Sequence, residues 1–221
     1  MNEFIWKAII LNLKSAGKDS SQLFEIYMGK YSFFDICRKA VYIVIRSLGN
    51  VLEWSRKCRF WYYTRAWPAH VQGRIYFTGI AIKATIGQDA NFYSGVIMEL
   101  AEQGKLSIGD GFTLSYGSII ACRELVSIGD HVMIGEYSSI RDTTHGQSAN
   151  GVAYARQKDF SAPVIIGNNV WIGRGSIVLP GTVIGDGVII GANSLVKGNL
   201  LSHHLYAGTP LRMIRSITAP A

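Results

Sequence analysis

The chain has 221 residues, of which 48% are hydrophobic and 17% charged, and its 24 glycines are spread along it. That suffices to bury one sizeable core with an extension, and it excludes a disordered chain. The net charge of +7 is lopsided: residues 1–70 carry +6 and residues 71–221 carry +1, so an anionic partner would meet the N-terminal third.

The opening "MNEFIWKAIILNLK" does not read as a secretory signal, because Glu3 precedes the apolar run, Lys7 interrupts it and no small-x-small cleavage site follows. Cys37, Cys58 and Cys122 are odd in number and have no paired spacing, which predicts reduced thiols in a cytoplasmic chain and no zinc site. The stretch "FFDICRKAVYIVIRSLGNVLEWSRKCRFWYY" predicts a helix, with Phe33, Ile36, Ala40, Val44, Leu48, Val51 and Leu52 along one face. Arg38, Lys39, Arg46, Arg56, Lys57 and Arg59 flank that face and exclude a membrane-spanning segment. Two readings of residues 1–65 stay open: a cap on the solenoid described next, or a basic amphipathic surface lying on an anionic membrane. No nucleic-acid recognition motif accompanies the basic residues.

From residue 166 the aliphatics fall six apart, at Ile166, Ile172, Val178, Ile184, Ile190 and Val196. Four places after each of the first five stands a small or β-branched residue: Val170, Ser176, Thr182, Val188 and Ser194. Neither a helix nor a simple strand has this period, and it predicts an all-β solenoid. Ile80, Ile86, Phe92 and Met98 keep the beat, as do Ile108, Leu114 and Ile120, and then Ile128, Ile134 and Ile140. Between these groups the register slips, which predicts loops at the corners of about five coils ending near Val196.

The stretches "IIGNNVWIGRGSIVLPGTVIGDGVIIGANSLV" and "AGTPLRMIR" resemble the hexapeptide-repeat acyltransferase family, in particular its sugar and polysaccharide O-acetyltransferases. The resemblance covers roughly Ile80 to Arg215. It implies a left-handed parallel β-helix over residues 71–198, after a helical N-terminal extension (1–70) and before a short C-terminal helical tail (199–221). It further implies a homotrimer with active sites between subunits, acetyl-CoA as co-substrate, no metal, and a carbohydrate acceptor of a surface polysaccharide or its precursor. A small acceptor (an antibiotic, an amino sugar or serine) and a non-catalytic scaffold are the rival readings. "GDGVIIG", from Gly185 to Gly191, fails the dinucleotide fingerprint and is explained by the hexads.

The beat stops between Asp142 and Pro163, and a long loop in a compact fold is usually functional. The family places its catalytic base at the start of such a loop, where His145 stands in "RDTTHG". Neutral imidazole can take a hydroxyl proton near pH 7, and a carboxylate beside it can fix the tautomer. Asp142 is the candidate for that carboxylate, although Asp before Thr-Thr also caps turns well. For the donor, the resemblance points to Gly173, Arg174, Ala192, Lys197, Arg212 and Arg215. Arg212 and Arg215, three apart on the expected terminal helix, would share one side; a solvated basic tail is the plain alternative. Trp171 either walls the pocket or packs a trimer contact.

Overall fold

The computed structural model describes residues 33–64, 66–68, 70–79, 83–148 and 151–217. Residues 1–32, Ile80 of the six-residue beat and residues 218–221 lie outside that set. The chain divides into two units, residues 1–52 and 53–221. Helix α1, Phe33–Thr64, forms as the sequence predicts. In the first unit Val41, Tyr42, Val44, Leu48, Val51 and Leu52 are exposed, so the described part of the expected apolar face looks to solvent. No helix among the described residues is long and apolar enough to cross a membrane.

The second unit is a parallel β-solenoid with three faces, visited in turn. The first face carries His70–Val71, Asn91–Phe92, Thr113–Leu114, Met133–Ile134, Trp171–Ile172, Ile189–Ile190 and His204–Ala207. The second carries Tyr76–Thr78, Ile97–Leu100, Ile119–Cys122, Ser139–Arg141, Ile177–Val178 and Leu195–Val196. The third carries Lys83–Ile86, Lys105–Ile108, Leu125–Ile128, Val164–Ile166, Val183–Ile184 and Asn199–Leu200.

The six-residue period follows from this geometry. The first aliphatic of each hexad is the inward residue of its strand and stacks on its counterpart one coil away, as Ile134 does on Ile172 and Ile172 on Ile190. Ile166, Ile172, Val178, Ile184, Ile190 and Val196 are all buried, each contributing about 1.5–3 kcal/mol relative to exposure. The fifth residue of each hexad also turns inward; from residue 166 onward it is small or β-branched, whereas Phe112 fills this position in an earlier coil. Between the first and second faces this column holds serines from Ser118 onward. Ser118 Oγ donates to the carbonyl of Gly135 (2.9 Å), Ser138 Oγ to that of Gly173 (3.3 Å) and Ser194 Oγ to that of Gly191 (2.6 Å). Between the third and first faces the ladder is acidic. Asp130 Oδ1 accepts the N–H of Asp110, Asn168 Oδ1 that of Asp130, and Asp186 Oδ1 that of Asn168. The residue after each of these polar side chains has positive φ, which suits Gly111, Asn169 and Gly187 and is met by His131 at a local cost.

The register slips share one corner, between the second and third faces: Ala101–Gly104, Arg123–Glu124 and the long segment from Asp142 to Pro163 all interrupt the coil there. The other two corners keep their short turns, so a single edge of the solenoid carries every large insertion among the described residues.

Among those residues the ladder makes six turns, from His70–Val71 to Asn199–Leu200, one more than the hexads predict. The first turn is written with Val71, Ile75 and Phe77 instead of a regular aliphatic beat. The last turns of α1 close this end: Phe60 is fully buried, with ring centroids 4.7 Å from Phe92 and 5.6 Å from Phe77. Tyr63 stacks on Phe77 at 4.6 Å. Glu53 joins His70 Nδ1 (3.0 Å) and Lys57 Nζ (3.3 Å). Partial burial works against its charge, but these two partners still hold its carboxyl below the usual range.

At the other end the structure corrects the expected helical tail. His204–Ala207 is a further parallel strand, and Arg212–Ser216 returns antiparallel beside it. Tyr206 is buried and holds the strand on the solenoid end, so the segment is paired as sheet and leaves no solvent-facing helix to form. Its hydroxyl accepts the N–H of Leu201.

Candidate active site

The long segment leaves the second face after Arg141 and comes back on itself: Thr143–Thr144 pairs antiparallel with Phe160–Ser161. This pairing sets His145, just past one strand, against Asp159, just before the other. His145 Nδ1 lies 2.9 Å from Asp159 Oδ1. An ionised carboxylate only accepts, so Nδ1 is the donor of this contact, and in the neutral ring the Nε2 lone pair is left free. The second oxygen, Asp159 Oδ2, sits 3.0 Å from Arg123 Nη1. The imidazole is 81% exposed and Asp159 24%, so the ring is held from behind and open in front.

Asp142 does not stand beside His145. It is fully buried, and its carboxylate is spent on three consecutive backbone N–H groups: Arg123 to Oδ1 and Oδ2 (2.8 and 3.0 Å), Glu124 to Oδ2 (2.7 Å) and Leu125 to Oδ2 (2.8 Å). Of the two readings of this residue the turn-capping one describes its contacts, and the carboxylate at the imidazole is Asp159. Both Asp159 and Arg123 escape sequence reasoning. The eight-residue step from Ile120 to Ile128 was the only trace of Arg123's corner.

The donor candidates fall in different places. Gly173, Arg174 and Ala192 share the corner between the first and second faces. A Cβ on Gly173 would lie 2.6 Å from the Ala192 nitrogen and 2.8 Å from the Ile190 carbonyl oxygen, so only glycine fits. Arg174 and Ala192 are exposed. Lys197, exposed, lies instead at the end of the second face, on His145's corner. Trp171, 50% exposed, belongs to an outward column of the first face that continues through Ile189 and Leu205 to Arg215.

Three residues apart on a regular strand, Arg212 and Arg215 would point to opposite faces. A bulge reverses this: Arg212 pairs with Ala207 and Arg215 with Leu205, the register shifting between Leu205 and Tyr206. Because Leu205 and Ala207 project to the same side, so do the two guanidinium groups. The sequence-based conclusion stands, on a strand instead of a helix.

An open cleft of about 350 Å³ runs along the insertion-bearing corner, lined by Thr78, Glu99, Ala101, Arg123 and Thr143 among others. Glu99 is paired with Arg141 (3.2 Å). Two residues of the loop apparatus, Arg123 and Thr143, therefore form part of its wall.

A parallel solenoid of hexads, with a histidine–aspartate pair on a loop that breaks the coil, defines a hexapeptide-repeat transferase, and comparison with known proteins agrees. Residues 163–198 match the family model described as bacterial transferase hexapeptide (six repeats). A protein of Escherichia coli K12 named for O-acetyl transfer in lipopolysaccharide biosynthesis, WbbJ, is 34% identical over 134 residues, covering 57% of this chain and 68% of that protein. The galactoside O-acetyltransferase of the same organism is 34% identical over 137 residues, covering 61% and 64%. The chain thus spans about two thirds of the length of these relatives. Among solved structures, the N-acyltransferase AntD of Bacillus cereus, as an S84A mutant in complex with dTDP-4-amino-4,6-dideoxyglucose and coenzyme A, shares the fold (TM-score 0.63, 22% identity, 71% of this chain and 86% of that one). The chain belongs to the hexapeptide-repeat acyltransferase family.

Proposed function

We propose that the chain is an acetyl-CoA-dependent O-acetyltransferase that modifies a sugar hydroxyl of a surface polysaccharide or its precursor. The observation that carries this reading is the contact of His145 Nδ1 with Asp159, which in the neutral ring leaves Nε2 free. In the reaction Nε2 takes the acceptor hydroxyl proton as the oxygen attacks the acetyl carbonyl. The C–S bond then breaks, and the imidazolium returns the proton to the departing thiolate, leaving an acetyl ester and free coenzyme A. Asp159 fixes the tautomer and stabilises the imidazolium. The cleft at the same corner, with hydrogen-bonding groups from Thr78, Glu99 and Thr143, suits a polyhydroxylated acceptor.

For the donor we assign backbone contacts to Gly173 and Ala192, phosphate contacts to Arg174, Lys197, Arg212 and Arg215, and a wall to Trp171. A geometric argument supports a site shared between copies. Gly173, Arg174 and Ala192 lie one whole face away from His145, and the imidazole is open in front. A neighbouring copy set against the second face would bring the two corners together, which a closed homotrimer of left-handed coils does for all three sites at once. The relatives' names favour a sugar acceptor, and the exposed aromatic and basic residues near the end of α1 suit work beside the inner face of a membrane.

Calorimetric titration with acetyl-CoA tests the assignment of the donor. Binding by the wild type that weakens by about tenfold or more in the Arg212→Ala, Arg215→Ala double variant supports it. A folded wild type that binds no acetyl-CoA would overturn it.

A further inference from the structure

We propose that Arg123 is a positioning residue for His145, acting through Asp159, and that buried Asp142 exists to hold Arg123's turn in place. The inference rests on the reading of His145 as the base.

The contacts form one chain. Asp142 fixes the turn by accepting the N–H groups of Arg123, Glu124 and Leu125. Its own carbonyl accepts the N–H of Ala162 at 2.9 Å, on the returning limb just beyond Asp159. Asp142 therefore ties the corner turn and the loop's return to one point. From that turn Arg123 Nη1 reaches Asp159 Oδ2, and Asp159 Oδ1 reaches His145 Nδ1. With one oxygen on each partner, the carboxylate has little freedom to rotate.

Stability does not account for this arrangement. Arg123 is 56% exposed, and exposed ion pairs add about 0–1 kcal/mol to folding. Its value is geometric: an imidazole on an open loop needs a carboxylate that is itself held, since small misplacements of a reacting group are costly in rate. The other charged side chains of this limb, Arg156 and Lys158, are exposed, and Asp142 is turned away onto the backbone.

The test compares Arg123→Met, Arg123→Lys and Asp159→Asn with the wild type. Acetyl transfer from acetyl-CoA to a panel of methyl glycosides is followed, and the His145 tautomer is read by long-range ¹⁵N–¹H spectra. Arg123→Met is expected to keep the wild-type melting temperature within about 2 °C and to lower kcat about tenfold, with the KM for acetyl-CoA unchanged. Asp159→Asn is expected to lower kcat further, by about 10²-fold. Arg123→Lys should recover most of kcat. The Nδ1–H tautomer should dominate in the wild type and become mixed in Arg123→Met. A lowered kcat with unchanged KM and a mixed tautomer, rescued by Lys, is what a merely structural loss would not produce. Unchanged kcat and tautomer in Arg123→Met would overturn the proposal. A wild type that transfers no acetyl group, yet shows the tautomer pattern with its loss in Arg123→Met, would sink the enzymatic reading and uphold the positioning chain.

Discussion

Asp159 Oδ1 lies 2.9 Å from His145 Nδ1, although fourteen residues separate the two in sequence. The pairing of Thr143–Thr144 with Phe160–Ser161 makes this contact, and in the neutral ring the contact leaves Nε2 as the free nitrogen. Replacing Asp159 by Asn removes the tautomer preference and the charge that stabilises the imidazolium. The expected result is a kcat lower by about 10²-fold or more, with acetyl-CoA affinity retained. Steady-state kinetics with a parallel donor titration checks this, and an unchanged kcat would contradict it.

Phe60 stands at the opposite end of the account, as the plug of the first coil. It is fully buried between Phe77 and Phe92, so truncation to Ala leaves a cavity over the open end of the core. The predicted loss is about 3–5 kcal/mol in equilibrium denaturation. A loss below about 1 kcal/mol would mean that α1 does not close the solenoid.

Cys122 gives a pH prediction. Burial pushes its thiol up to about 12, and the nearby Asp142 carboxylate adds to the effect. The unfolded chain releases this proton near the ordinary value of about 8.5. Between that pH and about 12 the native state therefore holds more protons than the unfolded one, and this group's contribution makes stability fall as pH rises through the window. Iodoacetamide at pH 8 should leave Cys122 unlabelled in the native protein and label it in guanidinium, as read by peptide mass spectrometry.

Trp54 and Tyr62 are 64% and 55% exposed on the last turns of α1, beside the cations Arg56, Lys57 and Arg59. If this surface lies on lipid, flotation with vesicles containing about one third phosphatidylserine should carry the protein upward, weaken in high salt and fall several-fold in Trp54→Ala, Tyr62→Ala. Equal flotation with neutral vesicles, or none, would remove the membrane from the account.

The hexads were legible because each buried position recurs in sequence with the period of the coil, so Ile166 to Val196 announce the core directly. The same rule explains what was missed at the ends. Phe77 and Tyr206 serve as core without the aliphatic beat, since each meets a cap or a terminal strand and not another regular coil. His145 stands out in the sequence because it lies near the start of the longest break in the repeat. Asp159 and Arg123 do not, because their meeting depends on how a fourteen-residue excursion folds back onto a corner two residues longer than a regular hexad turn. The sequence places the Asp142 carboxylate near His145, but only the fold shows its oxygens facing the turn. The spacing of Arg212 and Arg215 fits one helical side as well as a bulged strand, and the buried Tyr206 opposite Met213 decides for the strand.

The central claim is that His145 removes the acceptor proton. Transfer of radiolabelled acetyl from acetyl-CoA to methyl glycosides, measured for the wild type and for His145→Ala, tests it most directly. The expected result is transfer by the wild type and a fall in kcat of about 10²–10⁴-fold in the variant, with acetyl-CoA binding unchanged by calorimetry. Transfer that continues at the wild-type rate in His145→Ala would contradict it.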